Sequence, residues 1–404
     1  MSLATVWSPT PRTREVGGVF PSQWIRAAIA RGEVVAEQPV NPTQIQPNSL
    51  DLRLGAVAHR VQCSFLPGEE GMTNKLKRFR WSIHDIDSEG IVLSQDQVYF
   101  FPLMERLALA PEVRARSNPK STTGRLDVFT RLVTEHGAAF DEVPAGYRGR
   151  LYLEVVPRSF AIRVRPGDAL AQIRFQTGDP RLSDDETAVL LDGDDILFSP
   201  DRRPLRAADV SRSSGLVFSV GLSRACGAVS GYHARRNTPP IDLRGIGEAR
   251  ENLYWARIPP DGDPIILEPN EFYLFRSREL VRLPPLYCAE MVAFDAGSGE
   301  VRTHYAGFFD SGFGYVPTES GERGAGAAAV VLEIRSRDVP FLIEDGQALF
   351  RVRLLRGVEA PDVLYGAQSG SSYQSQGLRL PKQFANAPTE PERAGAVQTA
   401  LALF

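Results

Sequence analysis

Between Lys120 and Arg125 the chain reads KSTTGR, setting a lysine, three hydroxyls, a glycine and an arginine within six residues. Hydroxyls and backbone N–H groups in such a turn can meet phosphate oxygens. Lys120 adds a compact charge, and Arg125 can hold two oxygens at once. The order G-x-x-x-x-G-K-[ST] is missing, so this is not a Walker A loop. Standing alone, the same residues also make an ordinary polar loop.

A carboxyl is the second chemical candidate. In RLYLEVV (150–156) successive residues of a strand face opposite ways, so Tyr152, Glu154 and Val156 share one face, and Leu151, Leu153 and Val155 the other. Both faces are otherwise apolar or aromatic. Glu154 is therefore expected to be covered, with its charged form disfavoured and its pKa raised. Such a group exchanges protons near neutral pH. The competing reading is a structural ion pair with Arg148 or Arg150. A second stretch, AVVLEIRS (329–336), puts Glu333 in an equivalent place. There Arg335 shares its face and is expected to hold Glu333 ionised, which suits a salt bridge better than proton transfer.

These residues need a scaffold. FPSQWIRAAIARGEVV predicts one helix, with Ser22 able to cap, Trp24, Ile25, Ala28 and Ile29 at helical spacing, and Gly32 stopping it. Beyond it come short alternating or apolar runs: SLDLRL, GIVLSQDQVYFF, RLYLEVV, AIRVRPGD and LAQIRF. With 35 glycines and 30 prolines to make the turns, they predict an all-β sandwich or barrel.

The pattern then repeats. GIVLSQDQVYFFPLMERLALAP (90–111) parallels PIILEPNEFYLFRSRELVRLPP (264–285), with Tyr99 and Tyr273, Glu105 and Glu279, and Leu109 and Leu283 at a constant offset of 174. GAAFDEVPAGYRGRLYLEVV parallels AGFFDSGFG and AVVLEIRS, aligning Asp141 with Asp310 and Glu154 with Glu333. IRVRPGDAL parallels FLIEDGQAL. So long a period is too great for a solenoid and means two copies of one domain. The expected boundaries are a flexible segment 1–18, copy one at 19–192, a linker at 193–215, copy two at 216–384 and a tail at 385–404. The lysine–arginine turn has no counterpart in copy two, where the offset leads to Phe294 and Asp295.

Bulk properties narrow the function. Two domains fit 404 residues. A formal charge of −3 gives no general reason to bind nucleic acid or an anionic membrane, so any anion site must be local. No apolar run approaches the roughly 20 residues needed to span a bilayer, and the first residues lack a signal peptide's apolar middle. Cys63, Cys226 and Cys288 are scattered and odd in number, which points to a reducing compartment, the cytoplasm by default. The zinc-deaminase pattern H-x-E…P-C-x-x-C is missing, and the five histidines show no ligand spacing. His136 and His304 read as strand or turn residues. GxGxxG and GxSxG are missing too.

Taken in order, these motifs resemble the dCTP deaminase family of the dUTPase-like superfamily, in tandem. The carriers in copy one are the helix with IQPNSLDLRLG (45–55), KSTTGR (120–125), FDEVPAGYRGRLYLEV (140–155) and RPGDALAQIRF (165–175). Those in copy two are HYAGFFDSGFG, VVLEIRS, VPFLIEDGQAL and the tail SSYQSQG (371–377). The resemblance covers most of residues 20–380. It implies two dUTPase-like distorted jelly-roll or β-barrel domains and zinc-independent hydrolysis of dCTP to dUTP and ammonia.

By the same resemblance, Glu154 would be the general acid/base, and Ser121 and Arg125 would orient the water or the exocyclic amine. Lys120, Ser121 and Thr122 would hold phosphates, with Mg²⁺ bound through the triphosphate. Asp141 would lie against the sugar and Gln172 near the nucleotide, while Tyr373 and Gln376 would belong to the tail. Asp310 and Glu333 mark a possible second-copy site, and Glu333 could instead complete a site with Ser121 and Arg125 of a copy one. The chain departs from the family at Ser372, where a triphosphate-binding lysine is usual, and at Arg351, which stands opposite Gln172. The resemblance also implies sites between domains and a homo-oligomer, a trimer or a pseudo-trimeric or hexameric assembly of domains. The rival readings are dUTP diphosphate hydrolysis, both reactions together, or a non-catalytic nucleotide-binding or assembly module.

Overall fold

The structure, a computed structural model, describes residues 17–292, 301–303, 307–317, 326–336, 338–366, 373–374 and 376–385. Phe294, Asp295, His304, Ser372 and nearly all of both terminal segments lie outside the described residues.

The two copies have the same sheet order. In copy one the strands are β1 (Leu50–Arg53), β2 (Val57–Val61), β3 (Arg80–Asp85), β4 (Val98–Ala108), β5 (Val113–Pro119), β6 (Val128–Thr134), β7 (Arg148–Pro157) and β8 (Ala169–Thr177). Those of copy two are β9 (Leu216–Ser219), β10 (Gly231–Ala234), β11 (Trp255–Ile258), β12 (Phe272–Val281), β13 (Tyr287–Val292), β14 (Val301–Thr303), β15 (Ala328–Ser336) and β16 (Ala348–Arg356). One antiparallel sheet runs β3-β2-β4-β7-β6 and its counterpart β11-β10-β12-β15-β14. The facing sheets run β1-β8-β5 and β9-β16-β13. Register confirms the repeat: Glu154 pairs across to Phe100, and Glu333 to Leu274, the residue equivalent to Phe100. The fold is all-β with a few short helices: two tandem dUTPase-like domains.

Helix α1 (Ser22–Ala30) forms where predicted and buries Ile25 and Ala28. Ser22 does not cap it. The residue before the helix is Pro21, and the Ser22 hydroxyl donates to Asp362 instead. Gly32 ends it at φ +74°, a left-handed geometry that glycine takes without strain. Helix α2 (Met72–Phe79) lies on the outer face of β7. Met72 and Leu76 pack there with Phe100, Val133 and Tyr152.

Both the end of the stretch expected as copy one and the start of the expected linker, 193–215, have structure of their own. Helix α4 (Asp184–Gly193; α3 is given below) is capped by Ser183, which accepts from the Glu186 N–H at 3.1 Å. Leu190, Leu191, Ile196 and Leu197 enter the core of copy two, and Leu197–Phe198 pairs with Leu280–Val281. Turn-forming residues hid this because the apolar anchors between them come only in runs of two or three, Leu190–Leu191 and Ile196–Leu197–Phe198.

The larger core crosses the copies. Tyr232, Trp255, Leu274, Val331, Leu380 and Phe384 from copy two pack in one cluster with Leu50, Phe101, Leu153 and Phe175 from copy one. Side chains of this size each contribute about 1.5–3 kcal/mol when fully buried. The seam is thus held by ordinary core packing, and the groups along it are rigidly placed.

Candidate active site

The KSTTGR segment is a short helix rather than an open turn. Helix α3 (Ser121–Arg125) follows β5 directly, and Lys120 is still extended. Two bonds fasten it to β8: the Lys120 N–H donates to the Leu170 carbonyl at 2.9 Å, and the Thr123 hydroxyl donates to the same oxygen at 2.8 Å. Thr123 therefore faces inward, leaving Ser121 and Thr122 to line a cleft of about 790 Å³ between the copies. Lys120, Arg125, Gln172, Asp310, Glu333, Tyr373 and Gln376 line the same cleft.

Arg125 is held from three sides by the C-terminal tail. It donates to the Gln376 side-chain oxygen and to the Arg379 carbonyl, each at 3.0 Å, and its guanidinium carbon lies 3.8 Å from the centre of the Tyr373 ring. The Tyr373 hydroxyl in turn lies 2.7 Å from the Thr122 hydroxyl. The tail thus locks the arginine in one orientation while leaving its Nε unpartnered.

Glu333 is the carboxyl beside this helix. The face of β15 that carries it docks on copy one, where Val331 joins the first core. A Cβ added at Gly124 would stand 2.2 Å from Glu333 Oε2, so only glycine leaves the carboxyl its room. Glu333 is buried and takes no hydrogen bond from a described residue. Burial pushes its pKa well above the ordinary carboxylate range, Arg125 pulls it down in part, and Asp127 raises it further. Arg335 does not hold it ionised, as the shared strand face had suggested. It reaches past to Asp127, and to the Ser159 hydroxyl at 3.1 Å, both in copy one.

Glu154 lies elsewhere. It is buried in the matching register of β7, but Arg131 on the adjacent strand donates to it at 2.9 Å and Ser64 at 2.9 Å. It does not line the cleft. The expectation that it faces the Lys120–Arg125 segment is not met within this chain. The physical reason is the segment around Ser64 and α2, which covers the Glu154 face of copy one, whereas the same face of copy two opens onto α3. The ion-pair reading was right in kind, but its partner is Arg131 rather than Arg148 or Arg150.

Asp141 and Asp310 divide in the same way. Asp141 lies outside the cleft, at φ +62°, and accepts from the Leu132 N–H at 2.8 Å. Burial raises its pKa to about 7. Asp310 lines the cleft and is held by Arg174 at 2.8 Å and Ser49 at 3.3 Å. Ser49 also donates to Gln172 at 3.1 Å. Lys120 is paired with Asp51.

Arg174, Asp51 and Lys382 escaped the sequence reading. Arg174 had a signal, since it is the one charge in the apolar strand ALAQIRF; it is buried and also bonds the Ala289 carbonyl at 3.0 Å. Asp51 had a weaker one, as the inward acid of SLDLRL. Among the described residues, no three His, Cys, Asp or Glu side chains are grouped so as to hold a metal ion. The cleft's hydroxyls and ammonium groups suit phosphate oxygens.

A hydroxyl-lined cleft with lysine and arginine on its wall and a buried carboxyl that takes no hydrogen bond from a described residue, set between two copies of a dUTPase-like fold, suits a nucleotide-handling protein of that superfamily. The family follows from comparison. Residues 16–179 match the family model of the 2'-deoxycytidine 5'-triphosphate deaminase N-terminal domain, and residues 184–384 that of its C-terminal domain. The chain belongs to the dCTP deaminase family. It is similar to the crystal structure of 2'-deoxycytidine 5'-triphosphate deaminase from Agrobacterium tumefaciens, with 39% identity and a TM-score of 0.76 over 86% of this chain and 99% of that one. The dCTP deaminase of Ignicoccus hospitalis is 25% identical over 161 residues, 40% of this chain and 84% of its own. The "dCTP deaminase, dUMP-forming" of Methanospirillum hungatei is 30% identical over 151 residues, 37% of this chain and 76% of its own.

Proposed function

We propose that this enzyme deaminates dCTP hydrolytically, giving dUTP and ammonia, in the cleft between its two copies. The observation that carries the reading is Glu333, a buried carboxyl with no hydrogen bond from a described residue, against the helix that carries Ser121 and Arg125. Its raised pKa suits a group that must both take and give a proton near neutrality. Ionised Glu333 removes a proton from water as the oxygen attacks C4 of the cytosine ring. The proton passes to N3, and a second transfer leaves the exocyclic amine as ammonia, so one water is consumed per ammonia released. Ser121 and Arg125 orient the water and polarise the ring, and the rigid hold on Arg125 lowers the cost of doing so.

Lys120, Ser121 and Thr122 bind the phosphates, Asp310 and Gln172 face the sugar and base, and Mg²⁺ enters bound to the triphosphate as part of the substrate. Both described walls belong to one chain. Three chains would give six domains in a trimer or hexamer-like ring, which sedimentation measures.

The direct test is ammonia release from dCTP by the wild type and by Glu333→Gln. Loss of release in the variant, with nucleotide binding retained, supports the reading; equal rates in both exclude Glu333 as the base. A wild type that binds dCTP without releasing ammonia is a nucleotide-binding module instead. A second product is favoured by the relatives named dUMP-forming, such as that of Methanospirillum hungatei. Pyrophosphate appearing with ammonia identifies it.

A further inference from the structure

Lys120 is paired in the cleft with Asp51, and Asp310, near Asp51, is itself held by Arg174. In a chain of net charge −3 that leaves little to attract a polyphosphate. Arg26, also on the cleft wall, is paired with Asp362. Arg125 is taken up by the tail and lies beside Glu333, which leaves one further cation on the cleft wall: Lys382. Among the described residues its ammonium has no ion-pair or hydrogen-bond partner. It is open to solvent on the cleft side, but the surrounding wall and Lys120 hold its pKa below the usual lysine range.

Its position is built. Leu380 and Phe384 are buried in the larger core on either side of it. The Gly247 N–H donates to the Lys382 carbonyl at 3.0 Å, the Ala249 N–H to the Gln383 carbonyl at 2.9 Å, and the Gln383 side chain to the Leu243 carbonyl at 2.9 Å. A few residues earlier the Arg379 carbonyl is held by Arg125. Asp51 and Asp168 lie near enough to favour its charge without pairing with it directly. A backbone so held, presenting an ammonium beside Lys120 with no described ion-pair partner, is the geometry of an anion contact.

We propose that Lys382 binds the polyphosphate of the substrate alongside Lys120, supplying the cation that Asp51 cancels. The inference rests on the nucleoside-triphosphate reading of the cleft. Its test is chosen to separate the two. Calorimetry measures binding of inorganic tripolyphosphate to the full chain for the wild type, Lys382→Ala and Lys382→Arg. Loss of one charged contact is expected to weaken binding about tenfold or more in the alanine variant, with the arginine variant close to wild type. In steady-state kinetics Lys382→Ala raises KM for dCTP by a similar factor with kcat little changed, and affects dCMP far less. KM for dCTP also rises with pH as Lys382 loses its proton, and Lys382→Arg removes that rise.

Tripolyphosphate binding equally well to wild type and Lys382→Ala, or not binding the wild type, overturns the proposal while leaving the deaminase reading intact. Lys382-dependent binding by a protein that releases no ammonia overturns that reading and keeps this one. An unchanged melting temperature in Lys382→Gln, tested beside the alanine variant, ensures that weakened binding reflects charge rather than unfolding.

Discussion

The carboxyl of Glu333 fills the space that a side chain on Gly124 would need, with Oε2 2.2 Å from the position of the missing Cβ. The glycine belongs to copy one and the glutamate to copy two, so the contact fixes the proposed reacting acid against the helix that carries Ser121 and Arg125. Gly124 has an ordinary helical backbone, and an alanine there would by itself favour the helix by about 1 kcal/mol. In Gly124→Ala the carboxyl tip must swing away, an inexpensive motion for a glutamate end. The expected outcome is nearly unchanged stability in urea and a large drop in kcat, roughly a hundredfold as for other displaced catalytic groups. A fully active Gly124→Ala variant would show that this contact has no part in the chemistry.

The two equivalent glutamates are expected to behave differently. Glu333→Gln should lose about 10²–10⁴-fold in kcat, the usual contribution of a general acid/base. Glu154→Gln should keep kcat near wild type, because Arg131 and Ser64 occupy its carboxyl outside the cleft. The wild-type pH profile should carry the same signature. Glu333 acts first as a base and must be ionised, so kcat/KM falls as pH drops through its pKa, which lies above that of an ordinary glutamate. An acid limb in the normal carboxylate range, near 4.3, would contradict this.

Asp141 offers a stability test. Its pKa is raised from 3.8 unfolded to about 7 folded, so between those values the native state holds the extra proton. Stability from this site is therefore full below about pH 4 and lost as pH rises toward 7. Asp141→Asn keeps an oxygen for the Leu132 N–H and tolerates the left-handed backbone. Relative to wild type it should grow more stable, by a few kcal/mol, as pH rises across that window, as followed by urea unfolding. A difference that does not vary with pH would count against the burial argument.

Arg174 tests the seam. It is buried against Asp310 and two backbone carbonyls of copy two. Arg174→Ala leaves a buried acid uncompensated and should cost about 3–5 kcal/mol. KM for dCTP should also rise, since Asp310 loses the group that orients it. A change below about 1 kcal/mol would mean that Asp310 is satisfied elsewhere.

Much of this was legible in the residues. The repeat was readable because strand register fixes which side chains recur: Tyr99 with Tyr273 and Glu154 with Glu333 hold equivalent places in matching sheets. The polar Lys120–Arg125 segment on the cleft wall was readable from its composition, though its short helix was not. Which glutamate meets it was not, because alternation within a strand shows that a face is covered but not by what. In copy one α2 covers it, and in copy two α3 of the other copy does. Arg335 misled for a related reason: sharing a face with Glu333 put it near, but Asp127 across the seam offered a buried acid of its own. Lys382 was silent, as one lysine in a polar tail carries no pattern.

Because α3 and β15 are parts of one polypeptide, their encounter is unimolecular, and bringing Glu333 to Ser121 and Arg125 needs no second chain. Blending wild-type chains with an excess of Glu333→Gln chains should then lower turnover only in proportion to the active fraction.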